Sequence, residues 1–188
     1  MTHRTALLII DLFSLFDFPG GQQLGPSAVK AAKQTATLRD AFDALGLPVV
    51  YVNDNFGNWK QDFPQLVQAC RQQGGPSARI ASLLAPRAPH YFILKPKHSA
   101  FLATPLPVLL AKLGVGRVVL TGMALDSCVL ATALDANARE YKTVVASDAT
   151  ASLPGRHRAA VQTLERSGAA QVSRAAAVIE TLRAPVED

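Results

Sequence analysis

A three-layer α/β fold, with helices on both faces of a mostly parallel sheet of about six strands, is what the sequence predicts. Three observations carry it. Short β-rich apolar runs alternate with longer helix-like stretches, most of the runs are too apolar to face water on either side, and Gly and Pro fall where helices end and begin. A sheet buried on both faces needs helical crossovers, and helical crossovers make the strands parallel.

The elements follow in chain order. Ala6 to Ile10 is a continuous apolar run stopped by Asp11, the length of a buried strand. A helix is expected over Ser27 to Leu45, opened by Pro26 or Ser27 and closed by Gly46, because Pro suits a helix's first turn and Gly the position just past its end. Pro48 to Val52 is the second strand. The stretch from Asn53 to Phe63 has no regular apolar period and reads as a long loop, a feature that is usually functional in a compact domain. Cys70 lies in a polar helical stretch, and Pro76 opens a helix to Leu84. Tyr91 to Leu94 is a strand, Pro105 to Leu113 a helix stopped by Gly114, and Arg117 to Leu120 the fourth strand. Ser127 to Glu140 is helical, Thr143 to Ala146 is the fifth strand with Asp148 in the turn that ends it, and Gly155 to Ser167 is helical again. A short strand at Ala170 to Val172 and a helix over Ala175 to Arg183 complete a single domain spanning residues 1–188.

At 188 residues, 49% hydrophobic and 18% charged, the chain can fill one core and is too short for two ordinary domains. Its two cysteines, Cys70 and Cys128, are too few for a disulfide framework and fit neither a C-x-x-C nor a zinc-ribbon spacing, so both are expected as reduced thiols. The first apolar run is too short for a signal-peptide core or a membrane span, which makes the expected location cytoplasmic and excludes a membrane partner. The net charge of +5 comes from scattered Lys and Arg. Its densest clusters, Lys95-Pro96-Lys97-His98 and Arg156-His157-Arg158, are short, so no nucleic-acid partner is expected.

In open parallel sheets, ligands bind beyond the carboxyl ends of the strands. The polar residues at those ends are Asp11, Asn53-Asp54-Asn55, Lys95, the turn from Gly122 to Cys128, and Ser147-Asp148. Cys128 stands where a strand gives way to a helix, and unpaired N–H groups with a positive dipole end favour a thiolate there. Thiol attack on a carbonyl needs a base and a cation: Asp11 is the base, Lys95 the cation and Cys128 the nucleophile. The N–H groups of Ala124 and Cys128 then form an oxyanion hole. Singly, each residue also has a structural reading: Asp11 as a cap, Lys95 as a surface lysine, Cys128 as a core thiol.

Three motifs stand in order: Leu7-Leu8-Ile9-Ile10-Asp11 with Phe16 downstream; Lys95-Pro96-Lys97-His98-Ser99-Ala100-Phe101; and Gly122-Met123-Ala124-Leu125-Asp126-Ser127-Cys128 followed by Ala131 to Ala136. On these the chain resembles the isochorismatase-like superfamily of cysteine hydrolases over nearly its whole length. The resemblance implies that family's Rossmann-like three-layer fold, Asp11, Lys95 and Cys128 as the catalytic triad, and a cis peptide between Met123 and Ala124. It also motivates an expected homo-oligomer. Two departures matter. Ser14 and Leu15 stand where the first motif commonly carries a polar pair. After the second strand, where nicotinamidases place an Asp and several His residues around a metal, this chain has Asn53-Asp54-Asn55-Phe56-Gly57-Asn58-Trp59 and no His between His3 and His90. Asp54 alone cannot hold zinc, so neither metal nor cofactor is expected.

Asn55, Phe56 and Trp59 are candidate pocket walls, as are Phe16 and Phe101 from the family motifs. His98 reads as a surface residue without a partner, and Asp126 and Ser127 as caps for the helix carrying Cys128. The expected activity is metal-independent hydrolysis of a C–N bond in a small amide, ureide or carbamoyl compound through a Cys thioester. Two alternatives stay open: an isochorismatase-type vinyl ether hydrolase, and a non-catalytic binding or scaffold protein of the same fold.

Overall fold

The structure, a computed structural model, describes residues 4–184. The ends of the expected 1–188 domain thus lie outside the described residues. In chain order the elements are β1 (Arg4–Ile10), α1 (Gly21–Ala44), β2 (Val49–Asp54), α2 (Phe63–Gln73), α3 (Gly75–Leu83), β3 (Tyr91–Lys95), α4 (Leu106–Lys112), β4 (Val115–Met123), a π-helical turn (Leu125–Val129), α5 (Leu130–Ala138), β5 (Lys142–Ala151), α6 (Arg156–Ser167), β6 (Gln171–Ser173) and α7 (Ala175–Arg183). The six strands form one sheet in the order β3-β2-β1-β4-β5-β6, every pair parallel.

The continuous apolar run of β1 is explained by what lies on each side. Leu7 and Ile9 enter one core with Leu38 and Phe42 of α1, Leu66 of α2, Ile80 of α3 and Val178 of α7. Ala6, Leu8 and Ile10 enter the other with Leu106 and Leu110 of α4, Ala133 of α5 and Leu164 of α6. With both faces dry, each fully buried Leu or Ile stabilises the fold by about 1.5–3 kcal/mol. This is the three-layer α/β/α architecture that the sequence predicts. The strand order reverses between β1 and β4, the switch point beyond whose carboxyl ends ligands bind in open parallel sheets.

Three local expectations are corrected, and the helical stretch around Cys70 gains its bounds. α1 starts at Gly21 rather than Ser27, after Gly20 in the left-handed region, so Pro26 lies inside the helix. Next to it Gly25 makes a close approach to α3, where a Cβ would stand 2.7 Å from Pro76. The segment after Phe63 is a full helix, α2, capped reciprocally by Asp62 and Gln65 (2.8 and 3.2 Å) and burying Phe63, Leu66, Val67 and Cys70 at helical spacing. β5 does not end at Ala146. It bulges between the pairs Leu120↔Val145 and Gly122↔Thr150 and continues to Ala151. Asp148 sits in that bulge, its Oδ1 accepting the Ala175 N–H at the start of α7 (2.7 Å). The regular helix expected from Ser127 is the π turn followed by the shorter α5.

Gly122 joins the two halves of the sheet. It pairs with Ile10 at φ 116°, and a Cβ there would lie 1.9 Å from the Ile10 carbonyl oxygen. Backbone strain and overpacking act together at this position, so Gly122→Ala should cost about 3 kcal/mol or more. Denaturant midpoints of the two proteins check this, and an unchanged midpoint would contradict it.

Candidate active site

Asp11 ends β1 with φ 52° and donates its N–H to Val52 O (3.0 Å), a left-handed conformation that Asp tolerates better than most residues. Lys95, the last residue of β3, has a side chain with no exposed surface; its Nζ lies 2.7 Å from Asp11 Oδ2. The lysine thus spans the end of β2, which lies between β1 and β3 in the sheet. Asp54, which ends β2, joins in twice. Its N–H donates to Asp11 Oδ1 (2.6 Å) and its Oδ2 lies 3.5 Å from Lys95 Nζ. Its other oxygen accepts the Phe56 N–H (2.7 Å). Next to it, buried Asn53 clamps the segment after β1, accepting from Phe13 N (3.1 Å) and donating to Phe13 O (2.9 Å).

Cys128 comes from the other half of the sheet. β4 runs to Met123, the Met123–Ala124 peptide is cis, and the π turn follows. The Ala124 carbonyl accepts from Ser127 N (3.0 Å) and Val129 N (3.2 Å), the two N–H groups that bracket Cys128. Cys128 Sγ lies 3.7 Å from Lys95 Nζ and 3.7 Å from His98 Nδ1. Asp126 and Ser127 do not cap this turn with their side chains. Asp126 Oδ2 instead lies 3.5 Å from Arg156, and Ser127 Oγ lies 3.2 Å from His98 Nδ1. His98 is exposed, as expected, yet it has partners. Its distance from Cys128 in the sequence hid that proximity.

Burial and charge decide where the protons sit. Burial raises the Asp11 carboxyl above the usual aspartate range, with Lys95 opposing but not cancelling it. Burial works to lower Lys95, but the attraction of Asp11, Cys128 and Asp54 outweighs it and leaves the ammonium held more firmly than usual. The Cys128 thiol is pushed up to about 12 by burial and by the Asp11 carboxylate, against a smaller pull from Lys95. This corrects the expectation of a thiolate favoured by a helix dipole: desolvation and a neighbouring anion outweigh a partial charge at a single turn. The resting pair is an ammonium carboxylate beside a neutral thiol. Cys70, wholly buried, is also pushed up, to about 11.

The candidate wall residues are placed differently from one another. Asn55 is buried, donating its N–H to Lys95 O (3.1 Å) and accepting from Gly57 N (2.9 Å). Phe56 is 50% and Trp59 78% exposed. Phe16 and Phe101 are core rings; Phe101 packs on Tyr141 and lies under the Arg139 guanidinium, 5.1 Å from its centroid. A groove of about 1110 Å³ includes Arg4, Arg117 and Lys142 in its lining and lies at the opposite end of the strands from Asp11 and Lys95. Among the described residues, no group of three or more His, Cys, Asp or Glu is placed to hold a metal ion, and no helix is long and apolar enough to cross a membrane.

The ends of β1, β2 and β3 and the π turn after β4 thus bring Asp11, Asp54, Lys95 and Cys128 together. The sequence profile of the isochorismatase domain matches residues 5–176. The chain belongs to the isochorismatase family. It is 37% identical to the isochorismatase family protein YaaI of Bacillus subtilis over 147 residues, 78% of this chain and 80% of that protein. It is 33% identical to the maleamate amidohydrolase of Pseudomonas putida over 150 residues, 76% of this chain and 70% of that enzyme. Among solved structures, the N-carbamoylsarcosine amidase of Thermoplasma acidophilum superposes with a TM-score of 0.70 at 28% identity, covering 92% of this chain and 96% of that one. This isochorismatase-family protein is an enzyme of the hydrolase class.

A thiol held near 12 is a small thiolate fraction at neutral pH, and that fraction rises tenfold with each pH unit below the pKa. Alkylation of Cys128 by a neutral haloacetamide, followed by mass spectrometry, should therefore climb about tenfold per unit from pH 7 to 9. A plateau before pH 8 would show instead that the turn lowers the thiol's pKa.

Proposed function

We propose that this isochorismatase-family hydrolase is a metal-independent cysteine hydrolase that cleaves a C–N bond in a small amide, ureide or carbamoyl compound, with Asp11, Lys95 and Cys128 as its triad. The observation that carries the reading is one buried ammonium touching both the carboxylate and the thiol, Lys95 at 2.7 Å from Asp11 and 3.7 Å from Cys128. The amidohydrolase and amidase among its relatives support amide chemistry.

In this reading Asp11 takes the Sγ proton as the Sγ–C bond forms and the carbonyl electron pair moves to oxygen. A base whose own pKa burial has raised is the better acceptor for that proton. The N–H groups of Ala124 and Cys128 hold the oxyanion. Collapse breaks the C–N bond, and the nitrogen leaves as ammonia or an amine carrying the proton from Asp11. Water then attacks the thioester, Asp11 accepts its proton, the C–S bond breaks and the thiol is restored.

The reading extends to one domain over residues 1–188, to a cytoplasmic setting in which both free thiols stay reduced, and to self-association. Phe92 on the edge strand β3 and Val108 on α4 are 54% and 61% exposed, and support an apolar contact between copies. Sedimentation at micromolar concentration should give a multiple of the 20.0 kDa chain mass; a single species at that mass would refute it.

Ammonia release from a panel of small amides, ureides and carbamoyl compounds tests the activity. Cys128→Ala should fold normally by circular dichroism yet lose about a thousandfold or more of the turnover. Chelator treatment of the native enzyme should leave the rate unchanged. Retained activity in Cys128→Ala, or metal that leaves and returns with activity, would overturn the mechanism.

A further inference from the structure

Asp54 has no part in the steps above, yet it holds both buried members of the ion pair. Its N–H fixes Asp11 Oδ1 at 2.6 Å, its Oδ2 stands 3.5 Å from Lys95 Nζ, and the Phe56 N–H on Oδ1 at 2.7 Å fixes the side chain's direction. Lys95 has no exposed surface, whereas the Asp54 side chain is 26% exposed and keeps contact with water. The groups facing Lys95 are Asp11 from β1, Asp54 from β2 and Cys128 from the π turn, and His98 stands at the thiol's 3.7 Å contact.

Consider these charges through the reaction. At rest Asp11 is the principal counter-ion of Lys95. Once Asp11 has accepted a proton from sulfur or from water, it is neutral, and the negative charge sits on the substrate oxygen among backbone donors. A fully buried ammonium left without a carboxylate tends to give up its proton. Lys95 could then protonate the wrong atom, or cease to orient Asp11 for the return transfer. One carboxylate remains beside it throughout, and that is Asp54.

We propose that Asp54 is a positioning residue that keeps Lys95 protonated while Asp11 carries the transferred proton. Its turnover arm rests on the cysteine-hydrolase reading; its thiol arm does not. Replacing Asp54 by a neutral residue removes an anion from the cluster and leaves the ammonium's attraction to fewer partners. The thiol then ionises more easily even as turnover suffers.

The test uses Asp54→Asn in the full chain, with Asp54→Ser, which keeps an oxygen for the Phe56 N–H, as the second neutral variant should the first fail to fold. Asp54→Glu is the variant that retains the charge. In the neutral variants, alkylation of Cys128 by iodoacetamide at pH 8 should rise about threefold or more over the native protein, while Asp54→Glu stays within about twofold of it. On any hydrolysed amide, kcat should fall about tenfold or more, and the alkaline limb of the pH–rate profile should move to lower pH, since Lys95 loses a counter-ion. Unchanged alkylation together with a loss of turnover that is uniform in pH would overturn the proposal and leave Asp54 a purely structural residue. If no amide is hydrolysed even by the native protein, the proposed function fails, and the alkylation comparison still decides the role of Asp54.

Discussion

The salt bridge between Lys95 and Asp11 sets the terms for everything around it. An ammonium with no exposed surface has lost its hydration, a penalty of several kcal/mol that only close, well-directed partners offset. Those partners come from two other strand ends, Asp11 at 2.7 Å from β1 and Asp54 at 3.5 Å from β2. The carboxyl ends of β1, β2 and β3 are consequently tied by charge as well as by ladder hydrogen bonds. The left-handed backbone at Asp11, the Asp54 N–H at its carboxylate and the Asn53 clamp on Phe13 all serve that meeting point. Removing any one acidic partner would leave buried charge in search of another.

The same pair governs the thiol. Burial raises the cost of a thiolate, and a carboxylate close to sulfur raises it further, so the cluster disfavours a thiolate while Asp11 is ionised. In the proposed mechanism, deprotonation of Cys128 is easiest in the step that also forms its bond to carbon, when the proton passes to Asp11 and the charge moves outward to the oxyanion. A resting thiol is also less open to oxidation than a resting thiolate.

The layers and the strand ends were legible in the sequence because they depend on local pattern. Continuous apolar runs mark strands buried on both faces, and Asp11, Lys95 and Cys128 follow such runs or their turns directly. What was not legible depends on partners far away in the chain. The bulge of β5 is held by Asp148 reaching the start of α7, and α1 packs at Gly25 against Pro76 of α3. The capping pair Asp62 and Gln65 was a readable signal for α2. The sequence offers Asp54 as a polar strand-end residue and as a lone metal ligand, and its place beside Asp11 and Lys95 is the signal that marks it as a charge partner. His98 and Ser127 meet across 29 residues of sequence, a proximity that no periodicity encodes. The high thiol pKa was hidden for a related reason: a turn's dipole is visible in sequence, whereas burial and an anion brought in from another strand are not.

The site is divided along the seam of the sheet. The half made of β3, β2 and β1 supplies Lys95, Asp54 and Asp11, while β4 and its π turn supply Cys128 and the backbone groups around it. The two halves meet at the pair of β1 and β4, whose last register position is Ile10 with Gly122. There the backbones come so close that a single methyl group would overlap the Ile10 carbonyl oxygen. The next residue after Ile10 is Asp11, and Cys128 follows Gly122 in the π turn. The spacing across this seam therefore helps to set the distance between the Asp11 carboxylate and the thiol, and the proton transfer proposed between them is steeply sensitive to such distances. Gly122 carries no reactive atom, yet the closeness it permits is what brings the charges of one half of the sheet to the sulfur of the other.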